Sequence, residues 1–97
     1  MRYLKIDGML SGTGIRDSLT GEYLYPDDLG LSSELVSKFK AWVMDYETAH
    51  YRRFADEAEN ERLDRDGIQI ARRAQLELPD AKIEYFSNAR MQAIAFK

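Results

Sequence analysis

Residues 2–7, RYLKID, set Leu4 and Ile6 on one side of a pleat and Tyr3, Lys5 and Asp7 on the other. That is the alternation of a half-buried strand, and Gly8 ends it. IRD and EYLY then flank SLTG, with Gly21 placed where a turn wants positive φ, so a small hairpin follows. Pro26 stops the second arm, Gly30 permits a reversal, and Ser32 is a good helix N-cap, with Leu31 and Val36 spaced for a hydrophobic staple. From Ser33 to about Tyr51 the apolar positions Leu35, Val36, Phe39, Trp42, Val43 and Tyr46 keep the three-and-four spacing of one helical face.

A second helix is predicted to begin within FADEAENERLD, where acids crowd the first turns, and to run to about Leu78. Its inner stripe is Leu63, Gly67, Ile70, Ala71, Ala74 and Leu78, and the small residues would let it approach a neighbour closely. Pro79 and Asp80 end it, and KIEYF (82–86) alternates again as a returning strand. Met91, Ile94 and Phe96 in the tail are candidates for docking on the core. The order strand, hairpin, helix, helix, strand predicts an α+β fold: a small antiparallel or mixed sheet with two antiparallel helices packed on one face, forming one domain over residues 1–97.

Composition narrows the function classes. Apolar residues are 44% of the chain and charged ones 32%, which favours a folded domain, and cysteine is absent, which removes disulfides, thiol catalysis and zinc–thiolate sites. No apolar run approaches the roughly 20 residues of a membrane helix. Lys5 and Asp7 interrupt the N-terminus where a secretory signal needs an apolar stretch, so a cytoplasmic location is the expectation. The net charge is −3, but residues 45–66 hold eight acids against four arginines. An acidic centre argues against direct binding of nucleic acid and suits a basic protein partner.

SGTGIRD lacks the third glycine of a dinucleotide-binding loop, with Asp17 in that position, and no G-K-[ST] follows, so its glycines read as turn chemistry. His50, the one histidine, shares a helical side with Val36, Phe39, Val43 and Tyr46 and reads as a partly buried side chain bonded to a neighbour. No metal or cofactor site is expected: the acids between 56 and 66 are interleaved with arginines as surface ion pairs, and no calcium-loop spacing is present. Asp27 with Asp28, and Glu57 one turn from Glu61, are acid pairs at helix entrances rather than an acid–base couple. An enzyme is therefore not expected.

The residues the core does not need are Met44, Glu47 and Tyr51 on the first helix and Glu57, Glu61 and Asp64 on one flank of the second. Together they would make an acidic rim around a methionine and a tyrosine, a composition that suits a protein interface with a basic partner. An ordinary solvated face would look the same. Arg72 and Leu76 on the opposite flank would suit a homodimer contact.

LGLSSELVSKFKAWVMDYE (29–47) with LDRDGIQIARRAQLELPDAKIEYFS (63–87) resembles small bacterial immunity proteins of contact-dependent growth-inhibition and polymorphic toxin systems. The shared positions are Leu31, Trp42, Tyr46, Leu63, Gly67, Leu78 and Tyr85, all assigned above to capping and core, so no binding residue transfers with them. The resemblance implies a cytoplasmic antidote that binds the C-terminal toxin domain of a cognate effector, many such domains being basic nucleases, and blocks it by occupying its active site. Neutralising a toxin in this way calls for a Kd at or below about a nanomolar, about −12 kcal/mol, and an interface near ~1,600 Å². The alternatives are a homo-oligomeric structural or regulatory module with no toxin partner, and a small enzyme or phosphate-ligand binder.

Overall fold

The computed structural model describes residues 1–96. Strand β1 (Arg2–Asp7) is followed by the short strands β2 (Ile15–Asp17) and β3 (Tyr23–Leu24), a 3-10 turn at Pro26–Asp28, helices α1 (Ser33–Tyr51) and α2 (Glu57–Glu77), and strands β4 (Ala81–Ser87) and β5 (Gln92–Ile94). The sheet order is β3-β2-β1-β4-β5, with β1 and β4 parallel and every other pair antiparallel. This is an α+β fold with a mixed sheet.

The parallel pair follows from the helical excursion. α1 runs toward the end of the sheet where β1 finishes, α2 runs back, and β4 then re-enters in the sense of β1. Register Leu4↔Ile83 and Ile6↔Tyr85 sets apolar neighbours on one face. They join Ile15, Phe39, Trp42, Tyr46, Leu63, Ile70 and Ala74 in one core. The helices cover that face alone, so the other carries Lys5, Arg16, Tyr23 and Glu84. Asp7 lies on this outer face and is nevertheless fully buried, because Arg16 Nη2 stands 2.6 Å from its carboxylate and Tyr23 donates its hydroxyl at 3.1 Å.

Local signals hold where they were read. Ser32 caps α1 by accepting from the Leu35 N–H at 3.2 Å, and Asp56 caps α2 by accepting from Glu59. The carboxylate that completes the α1 cap comes from the other helix: Glu77 accepts from the Ser32 N–H at 2.6 Å and its hydroxyl at 2.8 Å, and is held by Arg73 at 2.7 Å. These bonds keep the Glu77 carboxyl below the usual carboxylate range, Arg73 contributing most. Strand β5 was not anticipated as a strand. Its three residues pair only with β4, so long-range register defines it rather than alternation.

Candidate partner-binding site

Met44, Glu47 and Tyr51 are all exposed, as are Glu57 and Glu61. The two sets do not meet in one rim. On α1 the side toward α2 is marked by Asp45, which pairs with Arg62 at 3.5 Å, and the side toward the β1–β2 loop by Phe39 and Val43, which abut Gly14. At 100° per residue Met44 points straight outward, midway between those two sides, with Tyr51 and Glu47 turned about 20° and 60° from it toward the Val43 side. Glu57 lies on the far flank of α2, where Arg90 from the β4–β5 turn reaches it at 2.8 Å. Tyr51 ends α1 and Glu57 begins α2, so these two lie at the same end of the helix pair.

Asp64 corrects the sequence reading outright, for it is buried, with 6% of its surface exposed, and forms no part of an exposed rim. Its Oδ1 accepts from the Tyr85 hydroxyl at 2.6 Å, and its Oδ2 from the Ser87 hydroxyl at 3.0 Å and Arg90 Nε at 3.1 Å. A buried carboxylate is tolerated when its charge is paired and its lone pairs are used, as here. Burial first, and then this bond to Asp64, push the Tyr85 phenol far above its ordinary value. The same cluster fixes the turn after β4. Ser87 Oγ accepts from the Arg90 N–H at 3.1 Å, and Tyr46 Oη from the Ala89 N–H at 3.1 Å.

Three loops meet at this end, where the parallel strands β1 and β4 both finish: residues 8–14, 52–56 and 88–91. Asn88 Oδ1 accepts from the Gly8 N–H at 3.1 Å, and His50 Nε2 donates to the Gly8 carbonyl at 2.7 Å. His50 thus has the bonded, half-buried role its helical position suggested. Phe54 packs edge-on against its ring at 4.8 Å and against Tyr46 at 5.8 Å. Gly8 tolerates no side chain, since a Cβ there would stand 2.3 Å from the Tyr46 ring.

Every non-glycine residue with positive φ among the described residues lies in these loops: Ser11, Arg53, Phe54 and Met91. Ser11 occupies the third position of the turn closed by the Gly12 N–H on the Met9 carbonyl. Arg53 and Phe54 form the left-handed end of α1, where the Phe54 N–H reaches the Ala49 carbonyl and the Arg53 N–H that of His50, a Schellman pattern in which glycine is usual. Such positions cost roughly 1–3 kcal/mol each and gather at functional sites. Around them Met9 and Leu10 are 39% and 41% exposed, and Tyr51 and Met91 both 72%.

A family model described as Serratia CdiI immunity protein-like matches residues 13–88, more than half of the chain. The chain belongs to that family. No curated protein matches its sequence. Both segments that carried the resemblance, 29–47 and 63–87, lie inside the matched span. In this CdiI immunity-like fold Trp42, Tyr46, Leu63, Gly67 and Tyr85 are packed around the core and the Asp64 cluster, so the shared positions specify scaffold. Membership implies a cognate toxin protein as partner.

Elsewhere the chemistry is that of ion pairing. A groove of about 560 Å³ between α1 and α2 is lined by acids and bases together, among them Glu34, Lys38, Asp66 and Arg73. Among the described residues no three His, Asp or Glu side chains gather to hold a metal ion, and no helix is long and apolar enough to cross a membrane. Met91, read as a candidate for docking on the core, is 72% exposed, and Met9, Leu10 and Arg90 in the same group of loops were not singled out from the sequence. The available signal was a Met-Leu pair directly after Gly8 and outside any periodic stripe.

Proposed function

We propose that this chain is the cytoplasmic immunity protein of a toxin pair, that it binds the C-terminal toxin domain of its effector and covers the active site, and that this domain is a basic nuclease. Membership of the CdiI immunity-like family carries the reading. The charge distribution supports its finer part: residues 45–66 concentrate acid, and Glu47, Glu57 and Glu61 present it to solvent. An acidic surface accelerates encounter with a cationic cleft, and docking over that cleft excludes the phosphates of a nucleic-acid substrate. Inhibition then needs no chemistry from the antidote, only slow dissociation.

Co-expression with the toxin domain encoded beside it tests the reading. Growth should be restored, and the purified proteins should form a one-to-one complex whose association rate falls steeply with salt. Reversing Glu47 and Glu61 to lysine should slow association and flatten that salt dependence while the thermal midpoint holds. Toxicity that persists despite folded antidote would refute neutralisation, and a salt-independent association rate would refute the basic partner.

A further inference from the structure

We infer that the face of the sheet left uncovered by the helices is a contact between two copies of this chain, related by a twofold axis that runs along the strands between β1 and β4.

The composition of this face is the first support. Its aromatic side chains are Tyr3, Tyr23 and Phe86, of which Tyr23 and Phe86 are half-buried and Tyr3 is 38% exposed. Its charged strand residues, among the described residues, are Lys5, Asp7, Arg16, Lys82 and Glu84. Lys5 Nζ lies 6.0 Å from the Phe86 ring centre and the Arg16 guanidinium 5.4 Å from that of Tyr23, so both cations lean along rings and their stems widen the apolar surface. Asp7 is fully buried and paired with Arg16, and these two charges cancel. Lys5, Lys82 and Glu84 are left for a partner to meet.

Register is the second support and identifies the occupant. In the parallel pair Tyr3 stands beside Lys82, Lys5 beside Glu84 and Asp7 beside Phe86. A twofold axis parallel to the strands and midway between them sets each β1 residue opposite the β4 residue of the same row in the other copy. Lys5 of one copy then faces Glu84 of the other, Lys82 faces Tyr3, and Phe86 covers the group formed by Asp7, Arg16 and the Tyr23 hydroxyl. Each of these complementary contacts is made twice. A basic toxin would instead bring its cations against Lys5 and Lys82, with Glu84 alone to receive them.

Size sets the strength of the pair. Sheets pack face to face about 10 Å apart with their strands within about 30° of one another, which a face free of helices permits. β1 and β4 have six and seven residues. At about 3.3 Å per residue they make a strip about 20 Å long, and four overlapping strands about 4.8 Å apart make it about 20 Å wide. At most about 400 Å² per copy in projection is the low end for a specific contact, so the dimer is a weak one, with a Kd on the order of 10 μM. The helices and their exposed acids lie on the other layer and stay open to a toxin in the pair.

Sedimentation equilibrium on the free chain, from about 1 μM to about 1 mM, should show a monomer–dimer equilibrium. Lys5→Glu sets an acid against Glu84 across the axis, and Glu84→Lys sets a cation against Lys5, so each variant alone should dimerise at least about 30-fold more weakly. Mixed in equal amounts, the two variants are complementary and should pair within about threefold of wild-type affinity. Wild-type-like circular dichroism of each variant, with this recovery on mixing, separates the effect from misfolding. Leu76→Glu, at the α2 site that the sequence suggested for a homodimer, should leave dimerisation within about twofold of wild type. A chain that stays monomeric throughout, a dimer indifferent to both variants, or variants that fail to pair when mixed overturns the inference. A monomer whose Lys5 and Lys82 lose amine labelling only when the toxin domain is added assigns the face to the toxin and also overturns it. Growth rescue is read in a separate assay, so neutralisation stands or falls apart from the dimer.

Discussion

Gly67→Ala puts one methyl group where α2 crosses Tyr85, and the sign of its effect is decided by the tertiary structure. On a solvent-facing helical turn the change would stabilise by about 1 kcal/mol. Here the new Cβ would lie 2.5 Å from Tyr85 Cε1 and 2.7 Å from its hydroxyl, against about 3.5–4.0 Å for an ordinary contact. The ring has little room to withdraw, because Tyr85 is 1% exposed, its ring centroid lies 6.1 Å from that of Trp42, and its hydroxyl donates to Asp64 at 2.6 Å. Overpacking of this kind costs roughly 1–3 kcal/mol, and straining a hydrogen bond to a carboxylate adds up to roughly 1.5–3 kcal/mol. After the gain in helix propensity the net loss is about 2–4 kcal/mol, a fall of roughly 10–25 °C in the midpoint for a chain of this size. Calorimetry and urea unfolding measure it directly. In a Tyr85→Phe background, where the ring is released from Asp64, the same substitution should cost less by about 1 kcal/mol or more. A stabilised Gly67→Ala protein, or an equal cost in both backgrounds, would refute the close-approach argument.

Trp42→Ala should cost roughly 3–5 kcal/mol in urea unfolding, since the ring is 3% exposed, lies edge-on to Tyr46 and donates from Nε1 to the Leu63 carbonyl at 2.9 Å. A loss below about 1.5 kcal/mol would remove Trp42 from the core. Burial, aided by the Asp7 charge, pushes the Tyr23 phenol up to about 12, and burial also raises Tyr46 and Tyr85. The unfolded chain ionises these groups near pH 10, so their contribution is fully present below that pH and is lost as pH climbs toward 12 and beyond. Absorbance at 295 nm should show these phenols ionising only as circular dichroism reports unfolding. Their ionisation near pH 10 with native dichroism retained would contradict the burial argument.

Both helices were legible because their signals are short-range. Ser32 caps three residues ahead, the apolar spacing from Leu35 to Tyr46 repeats within one helix, and Pro79 stops α2 at a distance of two residues. The role of Gly67 was legible too, although its neighbour proved to be a strand residue. Asp64 was misread for a physical reason. Helical periodicity shows that a residue lies off the main apolar stripe, but a flank becomes interior when another segment folds over it. The β4–β5 turn does so, bringing Arg90 across 26 positions of sequence. The same limit split the anticipated rim, because a helical wheel orders the residues of each helix without saying how two wheels face one another.

The sequence by itself determined the elements, their caps and ends, the face each helix buries, the α+β class and the resemblance that places the chain in its family. Those depend on contacts within a few residues and on periodicity, which a linear string records. Only the tertiary structure decided the parallel pairing of β1 with β4, the burial of Asp7 and Asp64, and the meeting of three loops at one end. The Gly8–Asn88 bond joins residues 80 apart, and no local pattern at either site marks the other. Such closures are selected by the packing of the whole core, and here they bring Met9, Met91 and the strained backbone at Ser11, Arg53 and Phe54 to one end of the molecule.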